Sequence, residues 1–98
     1  MSHDLMVNYQ QNIQKAVQLL KAEGCEQVFL FGSLTHGEVR HGSDIDIAIR
    51  GYPSEYFFQL TGKLLLALDY SFDLIDLDSQ DGFGQYLQQH GELVRIDF

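Results

Sequence analysis

Hydrophobic residues recur at intervals of three and four between Leu5 and Ala22, at Met6, Tyr9, Ile13, Ala16, Val17 and Leu20. That spacing predicts an amphipathic helix, and Gly24 just beyond it suits a helix stop in the left-handed conformation. Val28-Phe29-Leu30-Phe31 is a short apolar run, read as a buried strand, and Gly32-Ser33 begins the turn out of it. Leu34 to Arg40 reads as a short helix and His41-Gly42-Ser43 as a loop. From Asp44 to Arg50 acids and aliphatics alternate at period 2, which predicts a second strand. Asp44 and Asp46 then share one face, and Ile45, Ile47 and Ile49 point the other way into the core. Gly51-Tyr52-Pro53 breaks the strand. Ser54 is the expected N-cap of a helix from Tyr56 to Asp69, with Glu55 favourable in its first turn. Phe57, Leu60, Thr61, Leu64, Leu65 and Leu68 fall on its inner side, and Gly62 weakens it by up to about 1 kcal/mol against Ala. Phe72 to Leu77 (FDLIDL) is the third strand, Gly82 to His90 a weaker helix, and Leu93 to Phe98 a closing strand. Helices and strands in alternation imply a layered α/β or α+β domain.

Composition narrows the class. At 98 residues the chain is expected to form one domain, 1–98. Hydrophobic residues make up 45%, too many for a disordered chain. The net charge of −8 argues against direct nucleic-acid binding, which needs clustered Lys or Arg. The six bases, Lys15, Lys21, Arg40, Arg50, Lys63 and Arg95, are scattered instead. A lone Cys25 cannot close an intrachain disulfide, which fits a reducing cytoplasm, and its expected role is a small packed or surface thiol. The start, Met-Ser-His-Asp, lacks the basic region of a signal peptide. The longest apolar run, Leu64 to Leu68, is far short of the roughly 20 residues that span a membrane, so no membrane role is expected.

Asp44 and Asp46, joined by one acid of the third strand, would form a carboxylate cluster. Three carboxylates about 5 Å apart repel by roughly 3 kcal/mol per pair at an effective dielectric near 20. Such a cluster raises its own pKa values or holds cations. Hard oxygen donors suit Mg²⁺ or Mn²⁺, and two ions about 3.5–4 Å apart can share a bridging carboxylate. Asp73 and Asp76 both lie on the third strand but face opposite ways, and the pattern alone does not choose between them. Gly32 would let a phosphate approach the backbone, Ser33 would add a hydroxyl, and N–H groups at a following helix start would add partial positive charge.

A Gly-Ser after a strand, then ten residues, then Asp-x-Asp on a strand with Ser43 before the first acid, resembles the signature of the DNA polymerase beta-like nucleotidyltransferases. At this length the chain is most similar to the minimal nucleotidyltransferases of that superfamily, which are usually encoded beside a helical HEPN partner. The resemblance implies the nucleotidyltransferase fold, a small mixed sheet flanked by helices. It implies Asp44, Asp46 and Asp73 as catalytic and metal-holding acids, because the family's third acid sits early in its strand, as in Phe72-Asp73-Leu74-Ile75. It implies nucleotide binding by Gly32, Ser33 and Ser43, two Mg²⁺ (or Mn²⁺) ions, and ATP as substrate. Relatives often carry Arg within the turn, where this chain has Leu34, Thr35 and His36, leaving Arg40 or Lys63 with the metals to meet the phosphates. The activity implied is transfer of AMP to a hydroxyl, a tyrosine of a HEPN ribonuclease toxin, with this chain as antitoxin in a cytoplasmic toxin–antitoxin hetero-oligomer. Tyr52, Tyr56, Phe57 and Phe58 exceed what one helix face can bury and would suit that interface. Two other functions fit the residues: a catalytically weak module of the same fold that blocks its partner sterically, and a small-molecule nucleotidyltransferase, whose pocket so short a chain scarcely accommodates.

Overall fold

A computed structural model describes residues 2–32, 42, 44–79, 82–90 and 93–97. The periodic N-terminal segment is helix α1 (Ser2–Ala22). It ends as its glycine requires: at Gly24, φ is 107°. There the Gly24 N–H donates to the Lys21 carbonyl at 3.1 Å, and the Cys25 N–H to the Leu20 carbonyl at 3.0 Å. These paired bonds satisfy carbonyls that the helix end would otherwise leave open. Strand β1 (Gln27–Phe31) follows, then β2 (Ile45–Arg50), a 3₁₀ turn (Ser54–Tyr56), α2 (Phe57–Ala67), β3 (Phe72–Asp76), α3 (Phe83–Gln89) and β4 (Val94–Arg95).

The strands form one mixed sheet in the order β3-β2-β1-β4. β1 runs antiparallel to both β2 and β4, and β2 runs parallel to β3. A parallel pair needs a crossover connection, and α2 supplies it.

Period 2 sorts each strand between two cores. Val28 and Leu30 of β1 and Ile45, Ile47 and Ile49 of β2 pack against Tyr9, Ala16 and Leu20 of α1 and Leu60 and Leu64 of α2. All three isoleucines are fully buried, as the alternation predicts. On the opposite face Phe31, Ala48, Leu77 and Leu87 form a smaller cluster with Phe29, Ile75 and Leu93. Cys25 is buried, and burial pushes its thiol up to about 11.

α1 also anchors the chain where it enters β3. Asn12 is buried; its carboxamide oxygen accepts the Asp69 N–H at 2.7 Å, and its NH₂ group donates to the Asn8 carbonyl and the Asp69 carboxylate. Beside it the rings of Tyr9 and Tyr70 stack with centroids 4.1 Å apart.

Several elements depart from the sequence pattern. Ser54 makes no capping bond through its side chain; the 3₁₀ turn leads directly into α2, which starts at Phe57 and stops at Ala67, short of Asp69. Leu65, expected inside, is exposed, because α2 has more apolar residues than one face can bury. Asp44 precedes β2 instead of opening it, β3 ends at Asp76, and β4 keeps only two residues. The short helix expected over 34–40 lies outside the described residues.

Candidate active site

The acids meet where β1 leaves the sheet and β2 and β3 enter it. Phe31 pairs with Asp46 across the antiparallel ladder, and Asp46 pairs with Asp73 across the parallel one. Register partners share a face and stand about 4.8 Å apart, so these two carboxylates lie side by side. They are on the face opposite α1 and α2, at its open end. Asp76 pairs with Ile49 and so faces the helices. Its Oδ1 accepts the Asp78 N–H at 2.9 Å and caps the turn after β3. Pairing thus decides what the pattern of β3 leaves open: Asp73 stands next to Asp46 and Asp76 does not.

Asp46 is half-buried and Asp73 exposed. Burial, the negative charges of Asp73 and Asp44, and a hydrogen bond with Asp73 push the Asp46 carboxyl up to about 6. Asp44 is exposed and accepts a hydrogen bond from the Ser71 hydroxyl. Ser71 is tied into the same corner by its carbonyl, which accepts the Ile45 N–H at 3.0 Å. Sequence reasoning missed Ser71; its one signal is its place just before the third strand, level with the start of β2. As they stand, no three His, Cys, Asp or Glu side chains among the described residues are gathered as a metal site.

Gly32 closes the corner. Its φ is 80°, and a Cβ there would lie 3.1 Å from Asp46 Cγ and closer still to its carboxylate oxygen. Only glycine lets the β1 turn pass so near the acid. Ser33 and Ser43, the other expected nucleotide contacts, lie outside the described residues, as do Arg40, His36 and His41.

Lys63 is not available to phosphate here. It pairs with Glu23 at 2.6 Å, at the end of α1 that leads into β1, whereas the acids stand where β1 leaves the sheet. The other described bases are engaged too: Lys15 with Asp69, Lys21 and Arg95 with Asp97, and Arg50 with Asp78.

The family model "Polymerase beta, Nucleotidyltransferase" matches residues 4–96. The chain belongs to that family. The four-stranded mixed sheet with helices is its nucleotidyltransferase fold. Among solved structures, this nucleotidyltransferase is similar to a toxin–antitoxin crystallised with AMP-PNP: 30% identity over 84% of this chain and 69% of that one, with a TM-score of 0.67. It is also similar to the MntA–HepT toxin–antitoxin, with 28% identity over 88% of this chain and 69% of that one, and a TM-score of 0.63. No curated protein sequence matches. Among the described residues no helix is long and apolar enough to cross a membrane.

Proposed function

We propose that this nucleotidyltransferase moves AMP from ATP to a tyrosine hydroxyl of a HEPN-type toxin encoded beside it, and so acts in the cytoplasm as the antitoxin of a hetero-oligomer. The observation that carries the reading is the pairing of Asp46 with Asp73 against the bare backbone of Gly32. The likeness to a toxin–antitoxin crystallised with AMP-PNP supports it.

An all-carboxylate donor set with a raised Asp46 pKa fits a hard divalent cation, whose charge would relieve the repulsion between the acids. Asp44, Asp46 and Asp73 would hold Mg²⁺ or Mn²⁺. When bound, the ions neutralise the triphosphate and make the acceptor hydroxyl more acidic. The remaining work falls to the chain. Gly32, with no side chain, lets a phosphate approach the backbone of the turn, and the hydroxyls of Ser33 and Ser43 donate to phosphate oxygens. Asp73, the more exposed acid, orients the acceptor. The acceptor oxygen attacks the α-phosphorus, the bond from that phosphorus to pyrophosphate breaks, and the hydroxyl proton passes to the Asp73 carboxylate.

The test is incubation of the purified chain with its HEPN partner and Mg-ATP, followed by mass spectrometry for tyrosine-bound AMP. Asp73→Ala should slow transfer by about 10²-fold or more while sparing ATP binding, and Asp76→Ala should change neither greatly. Full transfer in Asp73→Ala refutes the assignment. A second reading, steric neutralisation without transfer, draws support from the engagement of every described Lys and Arg with an acid elsewhere. A partner silenced with no gain in mass would establish it.

A further inference from the structure

Helix α2 carries two apolar faces. Leu60 and Leu64 fill the core, while Phe58 and Leu66 are each 91% exposed and Leu65 is 67% exposed. Positions 58, 62, 65 and 66 are separated by four, seven and eight residues, so they share one side of the helix. Gly62 lies in the middle of that side. A glycine inside a helix is unfavourable, and no contact among the described residues demands it. Gly62 is not among the positive-φ glycines, and a Cβ at this position would meet nothing within 4 Å. The outer face of α2 is therefore a notch floored by backbone and walled by Phe58, Leu65 and Leu66, which no described residue fills.

We infer that this notch receives an apolar helix, flanked by basic residues, of the HEPN-type partner, an inference that rests on the antitoxin reading above. Charge selects the occupant. The chain carries −8, so a second copy would bring like charge to the contact, and an anionic lipid surface would be repelled. The one charge on α2 itself, Lys63, is paired with Glu23, so the exposed Glu55, one turn before Phe58, leaves negative charge at the rim. A partner helix with an apolar ridge and basic flanks meets both requirements. Close approach over a glycine lets that ridge reach the helix backbone, and Phe58 and Leu66 supply the large side chains that dominate such contacts.

The experiment uses the full chain and its intact HEPN partner, with affinity measured by calorimetry. Gly62→Ala should raise the melting temperature of the free chain by a few degrees, since it improves helix propensity and clashes with nothing internal. The same substitution should weaken partner binding about ten-fold, and Leu66→Asp more. The Tm shift that Mg-ATP produces should be the same in these variants as in the parent, because Asp46 lies on the face of the sheet opposite α2. Parent affinity in both variants overturns the docking surface and leaves the antitoxin reading standing. A parent chain that binds no HEPN protein overturns both. A dimer of this chain that Leu66→Asp dissociates, or binding to anionic vesicles that it abolishes, assigns the notch to another occupant and overturns the inference.

Discussion

Gly32→Ala tests the corner of the site most directly, because two separable penalties coincide there. The backbone at Gly32 has φ of 80°, a conformation that costs an L-residue about 1–2 kcal/mol. The added methyl would also lie 3.1 Å from Asp46 Cγ, with the carboxylate oxygen closer still. The carboxylate is the end of a mobile side chain, so it would swing away, at about 0.5–1.5 kcal/mol for leaving its preferred rotamer. Together the loss is roughly 2–3 kcal/mol, or about 10–20 °C in Tm for a domain of this size. In an Asp46→Ala background the second penalty vanishes, since Asp46 Cβ is 3.5 Å from the new methyl, an ordinary contact. The cost of Gly32→Ala should then fall to about 1–2 kcal/mol, the backbone term alone. Urea unfolding of the parent, both single variants and the double variant measures the coupling, expected near 1 kcal/mol. If Gly32→Ala costs the same in both backgrounds, the carboxylate does not press on the turn and the close approach is refuted.

Three further outcomes follow from the same structure. Asp46 holds its proton up to a pH of about 6 against an ordinary 3.8, so folding is disfavoured progressively as pH rises through that window. In chelator, Asp46→Asn should therefore add about 1–2 kcal/mol at pH 8, after allowance for solvent screening, and almost nothing below pH 4; a gain independent of pH would contradict this. Mg²⁺ with ATP should raise Tm in a thermal scan, and Asp44→Asn with Asp46→Asn should abolish the shift; an unchanged shift removes these acids from the binding site. The Asp97 side chain is shielded, and Arg95 and Lys21 hold its carboxyl below the usual carboxylate range. That stabilisation is present above the ordinary carboxylate pKa near 3.9 and fades as pH falls below it, so Asp97→Asn should lower Tm at pH 7 and much less at pH 2.5.

The legible parts of this fold are those governed by local period. Ile45, Ile47 and Ile49 announce a buried face, and with it the outward face of Asp46, because alternation in a strand is a property of the chain itself; the face expected to be shared with Asp44 is not formed by the strand, since Asp44 precedes β2. Gly24 announces a helix end for the same kind of reason. What pairing decides was beyond reach: Asp73 and Asp76 are equivalent in FDLIDL until β3 lies parallel to β2 in one register. Family resemblance pointed to Asp73, and the register places it beside Asp46. Ser71 stayed invisible because its bond to Asp44 spans 27 positions. Ser54 misled because a serine after proline fits a cap and a 3₁₀ turn equally well. Leu65 misled because a helix apolar on two faces has no single inner side for periodicity to find.

Tyr9 packs on the face of the sheet opposite the paired acids, yet it and Asn12 hold the turn from which β3 is launched. A strand advanced or delayed by one residue would present Phe72 or Leu74 beside Asp46 and send Asp73 toward the helices. The first helix thus works as an indexing pin for a strand that comes some sixty positions later. On the chemistry proposed above, mutations on it that leave the fold standing would stop transfer by letting that strand slip a notch. Such lesions would look like catalytic knockouts in an activity screen while sitting on the far side of the sheet.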